Sequence, residues 1–432
     1  MTDSQRRRER RVRAVPAALR HGEFKPHGVG RTILRYLGLG LSVVLVATLS
    51  LVSIAVWDVT RSAHAGVDLV GDGPKAGPIE GPVNLLLVGS DSREGTDPNV
   101  FDDDPGSRLN DVNILLHINA DHTAATVISI PRDMVVKIPQ CPAPDGKGYS
   151  GGWSGPINAT LSEGGLPCIA LTVEELTGLD VQYAAMIGFN GVIQMANAIG
   201  GVEVCVAAPI EDEYTQTYLS AGTHTLSGLS ALQFLRTRHG VGDGSDLGRI
   251  SNQQNFLSSL VRKLKSASTL TNPVALFGLA KAATSNMTLS TSLNNMETMV
   301  SIAMALKDIP LDKIVFVQFP GTTGNDGIYT GKVKPDMVSA AVLLDAIKAE
   351  DAVSITGTLG RGAIVNTAAP TAEATASATA SASSSASASS SASATATATP
   401  TPTATTVALP QTITGQSASE ATCTVGRTLN QQ

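Results

Sequence analysis

The chain has 432 residues, 42% of them hydrophobic and 4% aromatic, with a formal net charge of −6. That composition is too apolar for a disordered protein, and four cysteines are too few for a small disulfide-framed fold. Charge is placed unevenly, +7 over residues 1–35 and −13 over the remaining 397, so a basic surface for nucleic acid is confined to the first segment. An apolar run follows that segment directly and gives it a different reading. From Leu37 to Trp57 no residue is charged. A helix rising about 1.5 Å per residue spans the hydrocarbon of a bilayer over that length. The pattern predicts a cytoplasmic basic segment over 1–35 and a retained transmembrane helix over 36–57. With arginines before the helix and Asp58 after it, the rest of the chain faces outward.

Residues 58–81 are rich in Gly, Pro and short polar side chains and read as a stalk. A folded domain is expected over 82–350. Its first strands are Asn84–Val88, Asn113–Ile118 and Ala125–Ile130, the first two separated by a polar loop. A Gly/Pro-rich stretch between Cys141 and Cys168 follows, and a disulfide between those two would tie it down. Alternating elements come next: helix from Ile169, strand from Tyr183, helix from Gly191 and strand Val202–Val206. Cys205, inside VEVCVAA, reads as a small buried hydrophobe. Helices are expected over Leu226–Leu235, Arg249–Lys265, Pro273–Ala283, Leu293–Leu306 and Asp336–Ala349, with a late strand at Lys313–Phe319. The alternation defines an α/β protein, an α-β-α sandwich on a central mixed sheet. Residues 360–432 read as a disordered Ala/Ser/Thr/Pro-rich tail that lacks large apolar groups to offset ordering entropy.

Four polar clusters stand where strands or helices end, and none pairs a nucleophile with a base. In GSDSR, Asp91 follows a buried strand, where ligand sites of open α/β sheets gather, although the same residues make ordinary turns. In RLNDVN, Arg108 and Asp111 lead into the next strand; if the two strands are neighbours, Asp91 and Asp111 share one divalent cation, and Mg²⁺ suits so small a carboxylate set. SIPRD presents Arg132 just outside a strand broken by Pro131. The last cluster carries Arg236 and Arg238, two apart in an extended segment, then Asp246, and Arg249 and Gln253 on one helical face. Forked guanidinium donors in that number suit phosphate or pyrophosphate, against a default reading of solvated surface arginines. No P-loop lysine motif, GxGxxG fingerprint or metal-binding Cys/His pair is present.

Taken in order, NLLLVGSDSR, DVNILLHIN, VISIPRD, Ile157-Asn158-Ala159, IGFNGVIQMANAIGG and the LSGLSALQFLRTRHG to DLGRISNQQ region resemble the LytR-CpsA-Psr family. The likeness runs over about residues 82–265 and more weakly to Phe319. It implies a polyprenyl chain held in an apolar cavity with its pyrophosphate at the mouth, and transfer of a glycopolymer-phosphate to a peptidoglycan hydroxyl. It further implies Asp91 and Asp111 as Mg²⁺ ligands and catalytic groups, with Arg132 beside them. Arg93, Arg132, Arg236, Arg238, Arg249 and Gln253 would bind the pyrophosphate. The expected partners are therefore a polyprenyl-pyrophosphate-linked glycan, peptidoglycan and membrane lipid, without nucleic acid. Arg108 lies one residue further from Asp111 than in the family's Arg-Ser-Asp pattern, and Val136, followed by Lys137, stands where some members carry another arginine. The alternative functions are a non-catalytic lipid-glycan binding or envelope-stress attenuator protein, and transfer of glycan to a protein acceptor.

Overall fold

A computed structural model describes residues 29–62, 65–71, 74, 77–98, 100–101, 109–143, 147–266, 273–366 and 405–432. Two compact units divide at Asp58/Val59. The first holds all but the last turn of helix α1 (Val29–Ser62), whose stretch Ile33–Ser50 has a mean hydropathy of 1.8 and is long and apolar enough to cross a membrane.

The second unit begins with β1 (Val83–Ser90), β2 (Asn110–Ile118) and β3 (Ala125–Ile130), then a hairpin of β4 (Val135–Pro142) and β5 (Tyr149–Pro156). Next come α2 (Thr160–Thr177), β6 (Tyr183–Ile187), α3 (Phe189–Ala198), β7 (Val202–Val206), a short hairpin of β8 (Ile210–Asp212) and β9 (Thr217–Leu219), and β10 (Gly222–Leu226). Helices α4 (Gly228–Arg236), α5 (Asp246–Lys265) and α6 (Pro273–Asn286) precede β11 (Met287–Leu289), α7 (Met296–Asp308) and β12 (Ile314–Gln318). The hairpin β13 (Gly321–Thr323) and β14 (Val333–Pro335), α8 (Met337–Lys348), β15 (Ala352–Ser354) and β16 (Ala363–Val365) follow, and β17 (Thr406–Ala408), β18 (Gly415–Ser417) and β19 (Thr422–Thr424) come last.

The main sheet has the order β11-β6-β1-β2-β3-β12-β18. It is mixed: β1 is antiparallel to β2 but parallel to β6, and β3 is antiparallel to β2 but parallel to β12. Because side chains alternate along a strand, β1 sends Leu86 and Val88 to a core shared with α2 and α8, and Val83 and Leu85 to a core shared with α5 and α7. Both faces are covered, which is why the strands read as continuous apolar runs. Each such fully buried aliphatic side chain contributes about 1.5–3 kcal/mol. A second sheet, β10-β7-β19-β16, packs on α4 and α5 through Val202, Val204, Val206, Phe234 and Phe256.

Three expectations are corrected. Within the expected stalk, Val67 forms a β-bridge with Ser290, and Leu69 and Ile79 pack on the two cores, so a Gly/Pro-rich composition did not prevent docking where apolar side chains were available. Within the expected tail, residues 405–432 supply strands to both sheets; three-residue strands carry too little periodicity to be read locally, and their partners lie far away in sequence. Cys205 is not a free hydrophobe but bonds Cys423 across the β7–β19 register, 218 residues away. The Cys141–Cys168 bond is present as expected, and it ties the end of β4 to α2, closing a loop that contains β5. The Ala/Ser/Thr stretch at 367–404, the basic segment 1–28 and Arg108 lie outside the described residues.

A candidate active site at the mouth of an apolar cavity

Between the main sheet and the α3–α4–α5 layer lies a cavity of about 270 Å³. Its walls are Leu87, Ile114, Ala185 and Ile187 from the sheet, Val192 and Met195 from α3, Ile199 just after it, Leu232 and Leu235 from α4, and Phe256, Leu257 and Leu260 from α5. Polar groups converge at one end, where β1 stops at Gly89-Ser90 and Asp111 is the second residue of β2, joined there by Arg236, Arg249 and Gln253. Gly89 is required at this spot, since a Cβ would sit 2.9 Å from Val112 Cβ.

The two aspartates come together because β1 and β2 are adjacent. The Asp91 amide donates to Leu109 O (3.2 Å), and the Leu109 amide returns a bond to Asp91 Oδ1 (3.0 Å). Burial holds the Asp91 carboxyl above the ordinary range, and the Asp111 charge pushes it the same way, against the Leu109 bond and Arg93, which pull it down. Asp111 Oδ1 in turn accepts a bond from Arg132 Nη1 at 2.8 Å.

Arg132 and Arg249 are joined through Asp246. Arg132 Nε lies 3.4 Å and Arg249 Nη2 2.7 Å from Asp246 Oδ1, and Arg249 Nη2 also donates to the Asp111 carbonyl (3.2 Å). Asp246 occupies the first turn of α5, where a carboxylate favours the helix dipole, and Ser245 caps that turn by accepting from the Gly248 amide. Burial by itself lowers the Arg132 pKa, but Asp111, Asp246 and Asp133 together raise it. Arg249 is pushed down by burial, and neighbouring Arg132 and Arg238 add to the effect.

Arg236, the last residue of α4, stacks on the Phe189 ring with its guanidinium carbon 4.4 Å from the centroid, and Phe101 lies 5.7 Å away. Its pKa is lowered by burial and by Arg93 and Arg249. Among the described residues no carboxylate forms an ion pair with Arg236 or Arg238, and Arg238 Nε is buried without a hydrogen-bond partner. The extended segment after α4 is fixed by Asp212, which accepts from Thr237 Oγ1 (2.6 Å) and from the Arg238 and Gly240 amides. Burial would raise the Asp212 carboxyl, yet these bonds hold it below its usual range. Gln253 Nε2 donates to Leu235 O (3.0 Å), so its amide is anchored at the cavity mouth.

All eight sequence-predicted residues therefore belong to one neighbourhood. Arg236, Arg249, Gln253 and Asp111 line the cavity itself, whereas Asp91, Arg93, Arg132 and Arg238 reach it through contacts and charge coupling. Lys137 does not join them, being 69% exposed at its side chain and paired with Glu175. Three contributors were not assigned from sequence. Asp246 was visible as part of the DLGR motif, Asp212 had no motif at all, and Phe189 read as the end of the strand that starts at Tyr183. On the cavity lining itself two guanidinium groups, Arg236 and Arg249, stand against one carboxylate, Asp111, so the mouth can accept an anion with room for a hydrocarbon chain behind it.

Fold and site together define a sheet-based protein whose apolar cavity opens beside the guanidinium groups of Arg236 and Arg249. The LytR_cpsA_psr family model matches residues 67–342, and the chain belongs to that family. It is 29% identical over 343 residues to "Cell wall biosynthesis protein LcpA" of Corynebacterium glutamicum, covering 73% of this chain and 64% of that one. It is 32% identical over 193 residues to "Polyisoprenyl-teichoic acid--peptidoglycan teichoic acid transferase TagT" of Bacillus subtilis, covering 43% and 54%. The chain thus spans less than two thirds of the length of these relatives. The crystal structure of B. subtilis TagV has the same fold, with a TM-score of 0.50 at 22% identity over 63% of this chain and 98% of that one.

Proposed function

We propose that this chain transfers a glycopolymer-phosphate from a polyprenyl-pyrophosphate carrier to a peptidoglycan hydroxyl, leaving a phosphodiester link and polyprenyl monophosphate. The carrying observation is the apolar cavity that closes on Arg236, Arg249 and Gln253, which matches an isoprenoid chain joined to a pyrophosphate. The name of TagT pairs a polyisoprenyl-linked polymer with peptidoglycan, and that supports the same donor and acceptor classes here. Membrane anchoring through α1 with the domain outside is supported by the basic charge before the apolar run and by two disulfides.

In this mechanism Arg236 and Arg249 hold the pyrophosphate oxygens, and Phe189 and Asp246 hold the arginines. Asp91 takes the proton of the acceptor hydroxyl while that oxygen forms its bond to phosphorus and the bond to the lipid phosphate breaks. A carboxyl held above the ordinary range by burial is suited to that role. Preorganised guanidinium charge is the main contribution, because phosphoryl transfer asks little covalent chemistry of the protein.

Asp91 and Asp111 fit a Mg²⁺ ion: their charges oppose each other at the mouth, and among the described residues no larger set of His, Cys, Asp or Glu gathers, so substrate oxygens and water would complete the shell. When bound, the ion supplies charge neutralisation to the phosphoryl oxygens. The paired aspartates disfavour a purely binding role, since carboxylates repel a pyrophosphate unless a cation stands between them.

The test is turnover by the full chain in detergent with a polyprenyl-pyrophosphate disaccharide and soluble peptidoglycan strands. Mg²⁺-dependent release of polyprenyl phosphate with glycan joined to the strands is expected. Asp91→Ala should lose roughly 10²–10⁴-fold in transfer while retaining donor binding. Donor binding by the wild type with no turnover in Mg²⁺ would favour the binding protein instead.

A further inference from the structure

A second groove lies on the α2–α8 side of the sheet and shares no lining residue with the apolar cavity. It has a volume of about 280 Å³ and is bounded by Val135, Lys137, Ser154, Glu175, Tyr329 and Met337. We propose that this groove seats the glycan backbone of the acceptor, an inference that rests on the transfer reading above.

Its lining is mixed in a way that fits sugar rings. Tyr329, Val135 and Met337 offer apolar surface to the C–H face of a ring, and Lys137, Glu175 and Ser154 offer donors and acceptors to its hydroxyl and amide rim. Lys137 Nζ and Glu175 Oε1 pair at 2.6 Å with side chains 69% and 41% exposed, so sugar hydroxyls can replace that contact at little cost. An isoprenoid chain would strand these charges, and a phosphate would be repelled by Glu175, which leaves a neutral amphipathic ligand as the match.

The groove is also joined to the catalytic cluster. Lys332, at the base of the loop that carries Tyr329, pairs with Asp133 Oδ1 at 2.6 Å, and Asp133 Oδ2 lies 3.5 Å from Arg132 Nε. The Val333 amide donates to the Asp133 carbonyl at 3.0 Å, so β14 is fastened beside the strand that leads from Arg132 into the groove. Lys137 is five positions after Arg132, a reach of at most about 18 Å. An acceptor strand lying in the groove therefore extends to the phosphates from the side opposite the lipid.

The experiment uses the full chain in detergent, the donor named above, and uncrosslinked peptidoglycan strands at varied concentration. Tyr329→Ala and Lys137→Ala are each expected to raise the acceptor KM roughly tenfold, leaving unchanged the donor KM and the slow hydrolysis of donor without acceptor. An unchanged acceptor KM in both variants overturns the proposal. So does equal loss of donor hydrolysis, which would mean a disturbed catalytic cluster. Strand affinity measured without donor separates this inference from the transfer reading. Even if the wild type turns over no donor, a roughly tenfold weaker affinity in both variants supports the groove, and an unchanged one refutes it.

Discussion

Replacing Cys205 and Cys423 together by alanine tests how far the C-terminal strand supports the site. The bond spans 218 residues, and the loop-closure entropy it removes from the unfolded chain corresponds to about 5 kcal/mol at 25 °C. The Cys141–Cys168 bond spans 27 residues and corresponds to about 3.5 kcal/mol. The larger loss should also reach the site, because β19 is bonded to the helix that carries Arg249 and Gln253. Thr424 Oγ1 donates to Asn252 Oδ1 (2.8 Å), Asn255 Nδ2 donates to Thr424 Oγ1 (3.1 Å), and Thr422 Oγ1 donates to Asn255 Oδ1 (2.9 Å), all buried. Freed of its covalent tie, β19 frays more easily, and these asparagines then lose partners inside the protein. Equilibrium urea titration of the two double variants should show the Cys205/Cys423 pair as the more destabilised. Donor KM should rise in that variant and stay near wild type in the Cys141/Cys168 variant. A reversed order of stability, or an unchanged donor KM at the lower stability, would refute the coupling of β19 to α5.

Asp246→Ala should destabilise the protein by about 3–5 kcal/mol and weaken donor binding, because Arg249 is left buried without its ion-pair partner; urea titration with donor-binding measurements checks both. Phe189→Leu removes the ring under Arg236, worth about 1–2 kcal/mol, and should raise donor KM roughly 5–30-fold with kcat less affected, as steady-state kinetics would report. Burial lowers the His117 pKa from 6.5 to about 4, so the stability tied to its neutral form is complete above 6.5 and is lost as pH falls toward 4. That drop corresponds to about 3 kcal/mol. Glu350, 3.6 Å from His117 Nε2 and raised by burial, contributes with the opposite sign as pH falls, so the observed loss should be smaller. Urea midpoints between pH 7 and 4 should fall less steeply in His117→Gln than in the wild type.

How much of the site was legible depended on where each residue's partners lie. Asp91, Asp111 and Arg132 end or begin apolar strands, and Arg249 and Gln253 are spaced four apart on one helix, so strand ends and helical period pointed to them directly. Phe189 is indistinguishable in sequence from core, because stacking under Arg236 depends on how α3 and α4 pack. Asp212 lies 25 residues before the hydroxyl it fixes, in a short hairpin without a motif.

The sequence by itself determined the membrane-length helix, the buried strands and the chemistry available at their ends, since periodicity, charge runs and residue type are local properties. Only the tertiary structure decided that β1 and β2 are neighbours, which brings Asp91 to Asp111, and that residues 405–432 belong to the domain. Strand pairing and disulfide partnership across 218 residues depend on how distant segments satisfy each other's backbone bonds and buried surface, which no local pattern records.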